Sequence, residues 1–199
     1  MSFNVSQFVA SIDKSGARSN LFEVNISAPT AINTALGDNK INVAGTPSSQ
    51  WRFLVNATAL PGYTNGEIAV PYFGRTAYFA GDTTFGDWTV TVLNDEDMKI
   101  RKGMEMWIEQ INSTVSNTRG VGMKHDQVAG SATVKTFGMK GGSAEDLTTS
   151  LDSTGITQVN LFDCWPSNIS PIDLSQDAAN TIETFQVTWQ YNYLTHESN

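Results

Sequence analysis

Apolar and polar residues alternate in several segments of this chain, and this alternation predicts β-strands. In the clearest segment, from Phe185 to Tyr193, aromatic or aliphatic side chains occupy every second position, and Gln, Thr and Asn lie between them. A strand of this kind has one face on a core and the other on solvent. Similar but shorter patterns occur at residues 22–27, 51–58, 68–72, 88–92, 132–139 and 156–162, so about seven strands are expected in total.

One segment has the period of an amphipathic helix instead. Asn94 is a candidate N-cap, and Asp95 to Asp97 would place carboxylates in the first turn, where the helix dipole favours negative charge. Apolar residues then recur three or four positions apart on one face, namely Ile100, Met104, Trp107, Ile108, Ile111 and Val115. The pattern predicts one substantial helix over about residues 95–112.

Many strands and one helix predict a mainly β fold, an antiparallel sandwich or barrel of two packed sheets with the helix alongside. Residues 1–199 are expected to form one domain, with an N-terminal arm at 1–19 and a long loop insertion at 28–50. Trp165-Pro166 is expected to end the strand that starts near 156. The residues predicted to form the structural core are Phe22, Trp88, Val90, Trp107, Trp165, Phe185 and Trp189.

Two regions carry apolar side chains that do not fit this core. The arm has helically spaced apolar residues, but a helix so short is unstable unless it packs on something. Residues 61–80 are interpreted as a loop-rich region, in which Pro71 indicates an edge strand or an interruption. Exposed aromatic residues are typical of contact surfaces. The candidates for subunit contacts are therefore Phe8, Ile12, Tyr72, Arg75, Tyr78 and Phe79.

Charge and composition narrow the classes of function. With 12 basic and 20 acidic residues, the formal net charge is −8, which disfavours tight binding to phosphate backbones, since such binding rests on Lys and Arg. Residues 1–20 do not have the shape of a signal peptide, and no apolar run is long enough for a membrane segment. Cys164 is the only cysteine, so an intrachain disulfide is excluded, and it is interpreted as a small buried hydrophobe.

The motifs predict no catalytic residue, no cofactor and no metal site. His125 and His196 do not have metal-ligand spacing with each other or with Cys164. Asp82 and Asp87 flank one predicted strand, and two acids about one strand apart resemble a glycosidase pair. A carbohydrate-binding or glycoside-processing β-sandwich therefore stays open as an alternative from another class.

Short motifs between residues 20 and 194 carry a family resemblance. They are Asn20-Leu-Phe-Glu-Val24, Ala57-Thr-Ala-Leu-Pro61, Ala80-Gly-Asp-Thr-Thr-Phe-Gly-Asp-Trp-Thr-Val-Thr-Val-Leu-Asn-Asp95, Trp165-Pro-Ser-Asn-Ile169 and Thr184-Phe-Gln-Val-Thr188. In order and spacing they resemble the tail tube proteins of contractile-tailed bacteriophages, with the best match between residues 57 and 107.

The resemblance implies two packed β-sheets with a flanking helix, a hexameric ring, and stacked rings that form a hollow tube inside a contractile sheath. It implies a structural virion protein, made in the host cytoplasm, whose tube conducts phage DNA into the host without binding it specifically. The implied partners are further copies of the chain, the tail sheath protein, baseplate tube-initiating proteins and a tape measure protein inside the tube. A tube or baseplate-tube component of a related contractile injection system is the alternative from the same class.

Overall fold

The computed structural model describes Val5, Phe8 and residues 18–36, 54–119, 124–137, 155–177 and 181–197, with residues 155 and 156 given by their backbone alone. Within these ranges lie nine strands rather than about seven: β1 (Phe22–Ser27), β2 (Val55–Thr58), β3 (Tyr63–Tyr72), β4 (Arg75–Phe85), β5 (Trp88–Leu93), β6 (Gly130–Phe137), β7 (Gly155–Ile169), β8 (Thr184–Gln190) and β9 (Tyr193–Glu197). The helices with described bounds are α1 (Thr30–Ala35), α2 (Lys99–Ile111) and α3 (His125–Val128). The prediction of a mainly β, antiparallel fold is confirmed.

Strand β7 belongs to two sheets. Its first part, up to Cys164, pairs with β6 on one side and β9 on the other, and β1 completes this first sheet beyond β6. Its last part, Trp165 to Ile169, pairs with β8, and β5 and β2 follow in the second sheet. Asp163 marks the passage, with a left-handed backbone (φ 55°) and an irregular register opposite Gly130 and Ser131.

The expectation that Trp165-Pro166 ends this strand is wrong. Pro166 lies inside β7, opposite Trp189, and the register shifts between Pro166 and Asn168. Proline has no backbone N–H to give to a ladder, and an irregular register is one of the places where a strand tolerates it.

The last predicted strand is two strands. The second sheet's β8 ends at Gln190, and after Tyr191 and Asn192 the chain enters β9, which pairs with β7 in the first sheet. The alternation of apolar and polar residues continues across this break, but the burial of the apolar side chains does not. Tyr191 is buried, whereas Tyr193 is 46% exposed and stacks on Phe162 with ring centroids 4.8 Å apart.

The inward positions of both sheets contribute to a single hydrophobic core. Its fully buried side chains include Val24, Ile26, Val90, Val92, Val134, Val159, Leu161, Phe185 and Val187. The largest are Trp88, Trp107 and Trp189, with Trp107 edge-on to Trp189 at 5.5 Å. Two predicted core residues differ, because Phe22 is only partly buried at the margin of this cluster and Trp165 is partly exposed.

Helix α2 begins at Lys99, so the predicted start near residue 95 is wrong. Met98 is the N-cap and has a left-handed backbone (φ 52°), and its N–H donates to the Asp95 carbonyl at 2.8 Å. Asp95 to Asp97 therefore form a turn before the helix. Asp97 instead pairs with Lys99 at 2.8 Å, and the hydrogen bond and charge of Lys99 lower the pKa of Asp97.

The apolar face of α2 is shorter than predicted. Ile100, Met104 and Trp107 are buried, and Ile108 and Ile111 are half-buried. The helix ends at Ile111, so Val115 lies beyond it and is 93% exposed. A turn across residues 113–118, closed by the Ser113 N–H donating to the Thr118 carbonyl at 3.0 Å, takes the chain away from the helical face.

The predicted loop at 28–50 begins with structure. Thr30–Ala35 forms α1, and Ile32 and Leu36 are buried in the core; residues 37–50 lie outside the described residues. In the arm, Val5 and Phe8 are helical and exposed, whereas Ile12 lies outside the described part of the chain. Across the described ranges, every helix is too short or too polar to span a bilayer.

Candidate functional site

Strands β3 and β4 form a two-stranded ribbon, Tyr63–Phe85, that extends the β2–β5 pair beyond the second sheet. Four residues separate β2 from β3, and two separate β4 from β5. Ten strand residues in β3 give the ribbon a length of about 30 Å. The interpretation of residues 61–80 as loop-rich is therefore wrong. Pro71 lies in β3, and in a two-stranded ribbon each strand is an edge, where proline is tolerated.

Buried Trp88 fixes the root of the ribbon. Its indole Nε1 donates to Thr58 Oγ1 at 2.9 Å and to the Ala59 carbonyl at 3.0 Å, at the end of β2 where the ribbon begins. On the other strand, Gln190 Nε2 donates to Asp87 Oδ1 at 2.6 Å. Buried and hydrogen-bonded side chains of the second sheet thus hold both strands at the point where they leave it.

The register gives the ribbon two unlike faces. Ile68 pairs with Phe79, Val70 with Ala77 and Tyr72 with Arg75, and these positions alternate with pairs such as Ala69 with Tyr78. We call the side that carries Ile68, Val70, Tyr72, Ala77 and Phe79 the apolar face; Arg75, opposite Tyr72, lies at its end beside the turn. Every residue of β3 is exposed, and Ile68 and Phe79 are 53% and 58% exposed. An isolated two-stranded ribbon is marginally stable in water, and exposed apolar side chains of this kind are typical of contact surfaces.

Two glycines allow the ribbon strands to approach closely at an irregularity. The register shifts between Asn65 and Glu67, opposite the β4 segment that contains Gly81. A Cβ at Gly81 would lie 3.1 Å from the carbonyl group of Gly66. The lack of a side chain at both positions is therefore what lets the backbones pass here.

A two-residue turn at the tip was missed by the sequence prediction. Phe73 (φ 42°) and Gly74 (φ 76°) both have left-handed backbones, which is typical of a type I′ hairpin turn. Phe73 is 91% exposed and meets Tyr72 edge-on at 4.7 Å. The available signal was the Phe-Gly pair between two short strand patterns, which is weaker than the Asn-Gly pair that such turns prefer.

The structure brings four of the six predicted contact residues onto this ribbon. Tyr72 and Arg75 lie opposite each other beside the turn, and Tyr78 and Phe79 lie on opposite faces of β4. Phe8 is exposed on the arm. Their role in contacts between subunits stays a prediction.

The residues with potential chemistry are placed unfavourably for catalysis. Asp82 and Asp87 are both exposed, whereas the general acid of a glycosidase is ordinarily held in an apolar pocket. Burial raises the pKa of the Cys164 thiol to about 12, which keeps it protonated and unreactive. Among the described residues, no group of three or more His, Cys, Asp or Glu could hold a metal ion.

His125 lies in a small cavity rather than in a ligand cluster. Its ring meets Trp165 edge-on at 5.6 Å, and Ile111, Arg119 and Val128 complete a cavity of about 280 Å³. Asn192 Nδ2 lies 3.3 Å from His125 Nε2 and donates to Asp163 at 3.0 Å. This arrangement explains why Trp165 is partly exposed, since its ring forms the wall of an open cavity.

Comparison with known proteins gives a family match over most of the chain. The sequence model described as phage tail tube protein matches residues 17–197. Tail tube protein gp19 of Enterobacteria phage T4 is 32% identical over 177 residues, which cover 89% of this chain and 90% of the relative. Tail tube protein gp19 of Enterobacteria phage T6 has the same identity and coverage.

A solved structure has a similar fold. A chain in the cryo-EM structure of the anti-feeding prophage cap, a tube terminating cap, aligns with a TM-score of 0.58 over 92% of this chain and 91% of that chain. The two sequences are 10% identical, so this similarity concerns the fold alone.

Proposed function

The chain belongs to the phage tail tube protein family, and we propose that it is the subunit of a hollow tube built from stacked hexameric rings. The resemblance found in the sequence is confirmed by the family match. Phage tail tube proteins are structural components of the virion, and that membership supports a structural role.

The observation that supports assembly most directly is the exposed ribbon. It presents Ile68, Val70, Tyr72 and Phe79 to solvent on one face, although its root is rigidly held. Contiguous apolar surface of this kind marks a protein interface. In a homo-oligomer, a second copy of the chain covers this face and supplies the burial that the monomer lacks.

Passage of DNA without specific binding is supported by charge. Each copy adds a formal charge of −8, so a ring of copies has few cations to offer phosphates. The outward positions of the first sheet carry polar groups: Gln158 Nε2 and Asn160 Nδ2 donate to Glu197 at 3.1 and 3.0 Å, and Lys135 lies opposite both Gln158 and Glu23. A bore lined by groups of this kind lets a polyanion slide rather than adhere.

The proposed partners are the proteins that such a tube needs around it, at its base and in its lumen. A tail sheath protein surrounds the tube, baseplate proteins initiate it, a tape measure protein occupies its lumen during construction, and the subunit is made in the host cytoplasm.

The fold similarity to a cap of the anti-feeding prophage favours one second candidate, a tube component of a related contractile injection system. Genes for a capsid and a terminase beside those for sheath and tape measure proteins would identify a phage.

Electron microscopy of the purified chain tests the proposal. At high concentration, or with a tube-initiating protein added, we expect rings with six-fold symmetry and a central hole, and stacks of such rings. A chain that stays monomeric under all these conditions, or a symmetric oligomer without a bore, contradicts the proposal. A bore with a strongly cationic lining contradicts the DNA-conducting role.

A further inference from the structure

We propose that the tip of the ribbon docks into a groove at the opposite end of the second sheet of another copy, with Phe73 among apolar side chains and Arg75 paired with Asp173. The inference rests on the proposed function, because it names the contact through which copies of the chain would join head to tail. It adds a receptor surface and an anchor residue to that assembly.

The tip violates two local preferences at once. Phe73 has a left-handed backbone, which favours Gly, Asn or Asp over an aromatic residue. It is also 91% exposed, so its ring gains nothing from burial within its own chain. Residues that break local rules in this way are expected at functional sites, where a partner compensates for the cost.

The groove lies between the segment after β7 and the segment before β8. Its volume is about 670 Å³, within the range that holds a drug-sized ligand or bulky side chains. Leu174 and Ile182 line it and are 79% and 66% exposed, and half-buried Ile172 joins them to the core. The groove therefore offers exposed apolar side chains, set among polar ones, to an incoming aromatic ring.

Strand β5 connects the two features and places them at opposite ends. Trp88, at the ribbon root, pairs with Trp189, whereas Leu93 pairs with Thr184 at the groove, about 17 Å further along the strand. Beyond Leu93, the Asn94 N–H donates to the Glu183 carbonyl at 2.9 Å. The ribbon leaves from the other end and is exposed along its length, so one chain cannot fill its own groove. Repetition of this contact between copies is heterologous and propagates.

Charge complementarity selects a second copy as the occupant. Arg75 is the only cation of the ribbon and stands beside the turn. The groove carries two carboxylates, Asp173 and Glu183. Glu183 is half-buried and accepts from Asn94 Nδ2 at 2.9 Å, which leaves exposed Asp173 as the partner for an incoming guanidinium.

Cross-linking tests the contact without changing the residues that make it. Thr76, next to Arg75, and Ser175, in the groove, are both exposed, and each is replaced by cysteine in a separately tagged chain. Cys164 is fully buried, so its thiol is not accessible to a maleimide. With a short bis-maleimide reagent, the mixture of Thr76→Cys and Ser175→Cys chains is expected to give a heterodimer, and the double variant a ladder. Val115→Cys, at a 93% exposed site elsewhere, replaces Ser175→Cys as the control and is expected to give neither.

A charge exchange gives an independent readout. Arg75→Glu and Asp173→Arg chains are each expected to lose at least tenfold in tube yield alone, and the double variant Arg75→Glu with Asp173→Arg to recover most of it. If the unaltered chain forms tubes but the double-cysteine variant gives no ladder and the charge-exchange variant no rescue, the docking inference is overturned while the proposed function stands. If the unaltered chain forms no rings or tubes at all, the proposed function itself fails.

Discussion

At the scale of single residues, Trp88 links the core to the surface. Its ring is buried with Trp189 at 6.3 Å, and its Nε1 reaches the two residues at the root of the ribbon. A single side chain thus contributes both to stability and to the direction in which the ribbon leaves the body.

We expect Trp88→Ala to lower the free energy of unfolding by about 3–5 kcal/mol, because it leaves a cavity and removes the hydrogen bonds to the root. Urea denaturation followed by circular dichroism measures this loss. Trp165→Ala serves as the control, since Trp165 is partly exposed, and a smaller loss is expected there. An equal loss in both variants would mean that Trp88 has no special position.

Gly130 leaves no room for an added methyl group. A Cβ there would collide with the Ser27 carbonyl and lie 3.1 Å from the Trp107 ring. Overpacking of this kind costs about 1–3 kcal/mol, so Gly130→Ala should lower the midpoint of denaturation clearly. Gly86→Ala is the matched control, since nothing lies within 4 Å of its Cβ position, and its midpoint should hardly change.

At the scale of elements, strands with one buried face were easier to predict from the sequence than strands with both faces exposed. The alternation placed β1, β5 and β8 because one face of each is buried, and α2 kept its buried face of Ile100, Met104 and Trp107. Of the ribbon, only the strand at 68–72 was predicted, because both faces of the ribbon are exposed in one chain and no burial pattern marks the rest. The start of α2 was misplaced since Met98 adopts a left-handed backbone that composition does not reveal.

The candidate site was partly predictable for the same reason. Tyr72, Tyr78 and Phe79 were recognisable as aromatic residues without a place in the core, and the ribbon carries them. Phe73 and the groove could not be found, because the first depends on the geometry of a turn and the second on two segments that meet only in the folded chain.

Neighbouring ribbon positions give a matched pair for the assembly surface. Val70 lies on the apolar face, and Ala69 lies on the opposite face beside it. We expect Val70→Asp to abolish tube formation and Ala69→Asp to affect it far less, as judged by sedimentation and microscopy. In both variants the free energy of unfolding should change by no more than about 0.5 kcal/mol, since surface substitutions have small effects on stability. Thermal denaturation measures this change. Equal effects of the two changes on assembly would contradict a role for the apolar face.

The C-terminal end of α2 should become less stable in acid. Glu109 accepts hydrogen bonds from the Thr114 N–H at 3.0 Å and from the Thr114 and Ser113 hydroxyls at 2.8 Å, and these bonds lower the pKa of its carboxyl group. A carboxyl whose pKa is lower in the folded state stabilises the fold above its unfolded pKa of about 4.3 and loses this effect as the pH falls through the folded value.

Protection of the Thr114 amide from hydrogen exchange should therefore persist at pH 6 and fall as the solution is acidified below about pH 4. Glu109→Gln should weaken that protection at pH 6 and should remove most of its dependence on pH. Glu96→Gln, an exposed position before the helix, is the control. Protection that is independent of pH in the unaltered chain would argue against a role for the Glu109 carboxylate.

At the scale of the whole molecule, the surfaces proposed for assembly lie outside the core. Buried residues come from the two sheets, α1 and α2, whereas the ribbon and the described arm residues are exposed. Folding and assembly should therefore be separable by mutation.

Deletion of residues 1–13 should show this separation. The truncated chain is expected to unfold at the same urea concentration as the full chain, since Val5 and Phe8 are 76% and 65% exposed, yet to give fewer or shorter tubes. Analytical ultracentrifugation and microscopy measure assembly. Tubes of normal number and length would show that the arm is dispensable, and a lower denaturation midpoint would show that it packs on the body.

The passage of β7 through both sheets has a mechanical consequence. Fifteen residues of one backbone run from the β6–β9 side of the body into the β8 side, bending at Asp163. Forces that pull on one half of the sandwich are thus transmitted to the other through covalent bonds and not only through apolar packing. In the proposed tube, a wall made of such units would resist shear between its two sheets.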